Sequence, residues 1–173
     1  MKLVPGELEW GQPEAFRRRY QLTKNGQVVG TLGFEKLGGS LATGQCGPNS
    51  WTMKRTGFLS PRVLVREAGS DQDFAIFTPT GTGGGSLALA SGRLYQLRAK
   101  NFWATEWAFD AEDGTPAMVL SGSPGLFKQG AHATVTDFGG SLPEAPMLVL
   151  LIWYLRILMN EDASTATIIA ATS

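Results

Sequence analysis

The stretch that most constrains this chain is APMLVLLIWYLRILM, residues 145 to 159, where apolar side chains fall on every side of a helical wheel and Arg156 is the one charge. A helix with a single apolar stripe can lie on a sheet, but one with no polar face must be surrounded completely, by lipid or by protein. SLPE leads into it, with Ser141 and Glu144 in the spacing of a capping box and Pro143 suited to a first turn. Pro146 also lies near enough to the start to be tolerated, and nothing else breaks the pattern before Asn160. The reading is a helix over residues 142 to 160, with Arg156 in its last turn against the negative end of the helix dipole.

Such a helix is about 27 Å long, close to the hydrocarbon thickness of a bilayer. Arg156 inside the run and NED after it, with no flanking lysines or arginines, argue against a span. A tail-anchored membrane protein is therefore the alternative, and a helix enclosed by protein is the expectation.

The remainder of the chain reads as strands. Its 22 glycines and nine prolines are scattered between short apolar segments, as turn punctuation and not as a linker. FRRRYQLT alternates, with Phe16, Tyr20 and Leu22 on one face and Arg17, Arg19 and Gln21 on the other. Asn25-Gly26 is the pair that suits a tight hairpin, and the returning strand places Val28, Leu32 and Phe34 together. Further strands are expected near 40 to 46, 50 to 56, 62 to 67 and 73 to 78, then in SLALA, RLYQLRA, FWATEWAFD, PAMVLS and HATVTDF. Trp103, Thr105, Trp107 and Phe109 would share a face. GGSLATGQ before Trp51 echoes GGSLALASG before Trp103, as an old duplication or the economy of hairpins would produce.

The expected fold is mainly β: a single domain over residues 1–173, a closed antiparallel barrel of about twelve strands enclosing the hydrophobic C-terminal helix. A barrel of that size has room for a helix about 10 Å across, and closure removes exposed sheet edges. Arg156 would sit at its mouth. Strands in this number followed by one very hydrophobic helix resemble the tubby C-terminal-like superfamily, which includes LURP-one-related proteins and phospholipid scramblases. The carriers are APMLVLLIWYLRILM, RRYQLTKNGQVVGTL and GRLYQLRAKNFWATEWAFDAEDG. The resemblance implies a barrel around a central helix and, in some branches, binding of phosphoinositide headgroups by a same-face basic pair or of calcium by an acidic segment ahead of the helix. Neither site carries over: Lys54 and Arg55 are consecutive, and the approach to the helix holds only Asp137 and Glu144.

Fifteen basic and fifteen acidic residues balance, which argues against a dedicated nucleic-acid binder. Cys46 is the single cysteine, so no internal disulfide is possible. MKLVPGELEW lacks the apolar core of a signal peptide, and a cytoplasmic address is the default. No cofactor or metal is called for: PTGTGGGS lacks the lysine and helix of a phosphate loop, and DAEDGT misses the ligand alternation of a calcium loop and reads as a turn at Asp113-Gly114. Cys46 and His132 are candidates for a nucleophile and base, giving an enzyme as the alternative function. The preferred reading is a non-catalytic barrel that binds anionic phospholipid peripherally, or a protein partner. Arg17 and Arg19, together with Lys54 and Arg55, form the candidate anion- or lipid-binding set. Arg18 falls on the apolar side, where it must reach a barrel end, find a carboxylate or mark a bulge.

Overall fold

The computed structural model describes residues 2–81, 83–122 and 130–173. Among them the strands are β1 (Gly6–Gly11), β2 (Arg19–Lys24), β3 (Gln27–Phe34), β4 (Ala42–Cys46), β5 (Asn49–Thr56) and β6 (Arg62–Glu67). β7 (Asp73–Pro79), β8 (Gly85–Leu89), β9 (Leu94–Ala99), β10 (Glu106–Ala111), β11 (Pro116–Ser121) and β12 (Ala131–Val135) follow, then the short helix α1 (Asp137–Ser141) and the long helix α2 (Ala145–Thr172). Each strand pairs antiparallel with its neighbour in sequence, and β1 closes the barrel against β12, with Gly6 opposite Val135 and Trp10 opposite Ala131.

Closure and alternation together make the interior. Inward residues such as Leu8, Leu22, Leu32, Met53, Phe77 and Leu97 meet a helix whose residues from Ala145 to Leu155 are all buried. Trp153 stacks on Trp10 with centroids 5.9 Å apart and meets the edge of Tyr20 at 5.6 Å. Tyr154 stacks on Phe34 at 5.4 Å, and its hydroxyl donates to the Ser40 carbonyl at 2.6 Å. Gly44 is where the wall thins for the helix: a Cβ there would lie 3.0 Å from Leu150 Cδ1.

The first hairpin turns at Asn25 and Gly26, both at positive φ as that turn requires. A register shift at Leu22/Thr23 then puts Val28 outside, 52% exposed, and not with Leu32 and Phe34. Phe16 likewise lies outside, because the strand begins only at Arg19. Trp103 belongs to the turn before β10 and is exposed, so it shares no face with Trp107 and Phe109. Trp51 points inward from β5, and the two tryptophans of the apparent repeat are not equivalent.

The helix ends differ from expectation at both sides. Ser141 closes α1, where its Oγ donates to the Phe138 carbonyl, and α2 begins at Ala145 without a side-chain cap, with Pro146 in its first turn. Glu144 is instead drawn to Arg93 and Tyr95, because a buried carboxylate gains more from a guanidinium and a phenol than from a local amide. At the other end no glycine or proline follows Asn160, and the helix runs on to Thr172. Arg156 is therefore far from the last turn. Its guanidinium lies 5.1 Å over the Trp107 ring, and burial lowers its pKa.

Candidate functional site

The barrel has two distinct rims. At the inlet rim, where α2 begins, α1 packs on β11 and β12, and a Cβ at Gly139 would overlap the Ala117 carbonyl. Here Arg93 Nη1 donates to both oxygens of Glu144 at 2.8 Å, and Tyr95 Oη donates to Oε1 at 2.6 Å. Burial pushes the Glu144 carboxyl up, but the bonds from Arg93 and Tyr95 outweigh it and hold it below the usual glutamate value.

At the outlet rim α2 leaves the barrel, and the β1–β2, β3–β4, β5–β6, β7–β8 and β9–β10 connections surround it. Arg18 resolves its awkward parity by turning in under this rim. It lies 3.8 Å over the Phe34 ring, donates to the carbonyls of Lys36, Leu37 and Gly39, and pairs with Glu161 at 2.9 Å. Arg55 pairs with Asp162 at 2.7 Å. These two ion pairs tie the base of the projecting helix to the barrel, and burial pushes the Glu161 carboxyl up despite Arg18.

Arg17 and Arg19 do not stand side by side on a strand. Arg17 lies in the β1–β2 loop and pairs with Glu14 at 2.8 Å, whereas Arg19 opens β2 and lines a cleft of about 390 Å³ with Pro13, Glu14, Gln21, Thr31 and Thr43. Lys54 and Arg55 take opposite faces of β5, as their spacing requires: Lys54 is outside and exposed, and Arg55 turns toward the helix. The four residues thus occupy one rim without converging on a point.

Charge along the barrel is segregated. Arg19, Lys36, Lys54, Arg62 and Arg98, all in the outlet half, are exposed and make no ion pair among the described residues. Of the acids in the same half, Glu14, Glu161 and Asp162 are each paired with an arginine, whereas Glu35 is exposed and Glu106 half-buried, neither with an ion pair among the described residues. At the inlet the balance reverses: Glu7, Glu67, Asp71, Glu112, Asp113 and Asp137 are exposed and unpaired among the described residues, whereas Arg93 and Arg66 are paired and Lys2 and Lys24 are the cations there without an ion pair. A chain with no net charge is therefore positive at one end and negative at the other.

The other candidates are dispersed. Cys46 points inward from β4, fully buried, and burial pushes its thiol up to about 11, opposite to the shift a nucleophile needs. His132 points outward from β12, 66% exposed and 4.0 Å from Glu9, so the wall separates the two side chains. Of the glycines in residues 79 to 86, Gly84 and Gly85 are required by packing, since a Cβ would overlap the Leu97 carbonyl at one and lie 2.5 Å from the Phe77 ring at the other, Gly83 takes a positive φ, and Thr82 is outside the described residues. Asp113 and Gly114 form the predicted turn, where Asp113 Oδ1 accepts from the Thr115 amide. Among the described residues no group of three or more His, Cys, Asp or Glu could hold a metal, and no helix is long and apolar enough to cross a membrane.

No protein-family model and no curated protein matches this sequence. A crystal structure of a protein from Arabidopsis thaliana is similar in fold, with a TM-score of 0.55 over 86% of this chain and 92% of that one. At 12% identity the likeness extends to the fold alone.

Proposed function

We propose that this chain is a non-catalytic barrel of the tubby-like kind, close to the LURP-one-related and scramblase-like branch, whose outlet rim docks peripherally on anionic phospholipid. The observation that carries the reading is the segregation of charge: unpaired cations outnumber unpaired acids at the outlet, and unpaired acids outnumber unpaired cations at the inlet, among the described residues. A bilayer surface is the flat anionic partner that such a dipole would orient against, whereas nucleic acid would favour a net cationic protein. The filled interior supports an exterior binding role, because the helix occupies the space a ligand would use. A cytoplasmic address fits, since anionic lipids face that side.

Each exposed basic residue near an anionic surface contributes about 1 kcal/mol, and the attraction fades over a Debye length of about 8 Å at physiological salt. Flotation with phosphatidylserine-containing vesicles at low salt should carry the protein up, and high salt or pure phosphatidylcholine should release it. Absence of flotation at low salt would leave a protein partner or an enzyme as the working reading.

A further inference from the structure

The outlet rim carries a second property that charge alone does not require. Leu37, Phe58, Leu59, Phe102 and Trp103 are each between 79% and 97% exposed, and all lie in its connecting loops. The inlet rim exposes only the smaller side chains Val4, Val28 and Leu94 among the described large hydrophobic residues. Exposed apolar groups gathered at one end and rimmed by charge mark an interaction surface.

These side chains are held out by rigid loops. In the β9–β10 loop Asn101 Oδ1 accepts from the Thr105 amide at 3.0 Å, its Nδ2 donates to Thr105 Oγ1, and Ala104 takes a positive φ. Trp107 Nε1 donates to the Ala104 carbonyl at 2.8 Å, and the rings of Phe102 and Trp103 meet edge to face outside. In the β5–β6 loop Gly57 has φ +85°, and a Cβ there would lie 2.6 Å from the Ser60 carbonyl oxygen, so the turn that presents Phe58 and Leu59 is tight. Docking would order little that is not already ordered.

The projecting end of α2 fits the same environment. Residues 163 to 173 include no charged side chain, Ile168 and Ile169 are exposed, and the hydroxyls of Ser164, Thr165, Thr167 and Thr172 all donate to carbonyls four residues back. Such a surface suits the headgroup region, where the unpaired carbonyls of the last turn can still reach water.

Resting on the lipid-docking reading above, we infer that the outlet rim inserts side chains into the interface of the membrane it docks on: Phe58, Leu59, Phe102 and Trp103 lie among the headgroups, with Ile168 and Ile169 of α2 against the same surface. Charge complementarity selects a bilayer over a protein groove, because the exposed apolar side chains share the rim with unpaired cations. Aromatic and basic residues are the pair enriched where protein meets lipid headgroups.

Trp103 supplies the test, since Trp10, Trp51, Trp107 and Trp153 are all buried. Phosphatidylserine-containing vesicles at low salt should blue-shift the emission, brominated lipid should quench it, and W103F should abolish both while still floating. F58S/L59S/F102S should weaken partitioning about tenfold at the same salt. Flotation without any Trp103 response, or with undiminished partitioning of that variant, overturns penetration and leaves the charge-only reading standing. No flotation at low salt overturns both. A blue shift that grows with protein concentration in the absence of vesicles overturns the inference in favour of a second copy covering the rim.

Discussion

Leu151→Ala tests the enclosure of the helix with a single truncation. Leu151 sits in the middle of the fully buried run and is 0% exposed. Truncating a buried leucine costs about 2.7 to 5 kcal/mol, depending on how far the surroundings collapse into the space. Here they cannot collapse far, because the wall is a closed ladder in which every strand is hydrogen-bonded on both sides. The cost should therefore fall near the top of the range, about 4 to 5 kcal/mol, a large share of the roughly 5 to 15 kcal/mol that holds a domain folded. For a chain of this size it should lower Tm by roughly 10 to 15 °C. Urea unfolding followed by tryptophan fluorescence measures it, with an unchanged slope confirming that the same surface unfolds. Ile168→Ala is the control on the same helix: Ile168 is 65% exposed, and its loss should change stability by no more than about 0.5 kcal/mol. A cost below about 1.5 kcal/mol for Leu151→Ala, or equal costs at the two sites, would refute the enclosed helix.

Other expectations follow from the wall and the inlet rim. Tyr95→Phe deletes the 2.6 Å bond to Glu144 and should cost about 1.5 to 3 kcal/mol at neutral pH. The Glu144 carboxyl is held below its unfolded value of about 4.3, so this stabilisation is present above that pH and is lost as pH falls through the folded value. Urea titrations of both proteins at pH 7 and near pH 3.5 should show the gap narrowing, and a gap that widened in acid would contradict the assignment. Gly44→Val would press on Leu150 and should destabilise by about 1 to 3 kcal/mol, read in the same assay. Cys46, with its thiol pushed up to about 11 inside the wall, should resist alkylation at pH 8 until urea unfolds the chain, as intact mass would record; rapid labelling of the folded protein would show it accessible.

The barrel and its filling were legible because both follow from short-range pattern. Alternation names the inward residues, Asn25-Gly26 fixes a turn, and the wheel of residues 145 to 159 has no face to give to water. β1 is as legible by its period as the other strands, since Leu8 and Trp10 alternate with Glu7 and Glu9, and it lies outside the strands expected from the sequence. Phe16 and Trp103 were misassigned for one reason: each has the right parity but lies beyond a strand end, where alternation no longer says which way a side chain points. Glu144 was lost to a local motif, since nothing in the spacing of SLPE reveals Arg93 and Tyr95, about fifty residues earlier. Arg18 was partly legible: its parity demanded a rim or a carboxylate, and it took both, but Glu161 could be placed only once the helix was known to continue past Asn160. The charge dipole was invisible in a balanced composition, because it appears only when alternate loops are assigned to opposite rims.

Paired charge reversal tests the central claim most directly. Lys54→Glu/Arg62→Glu inverts part of the outlet rim and Glu67→Lys/Glu112→Lys part of the inlet rim, all four positions being exposed and without an ion pair among the described residues. Binding to phosphatidylserine-containing vesicles at low salt, measured by flotation, should be abolished by the outlet reversal and undiminished by the inlet one. Equal binding by the two variants, or loss confined to the inlet reversal, would contradict docking through the outlet rim.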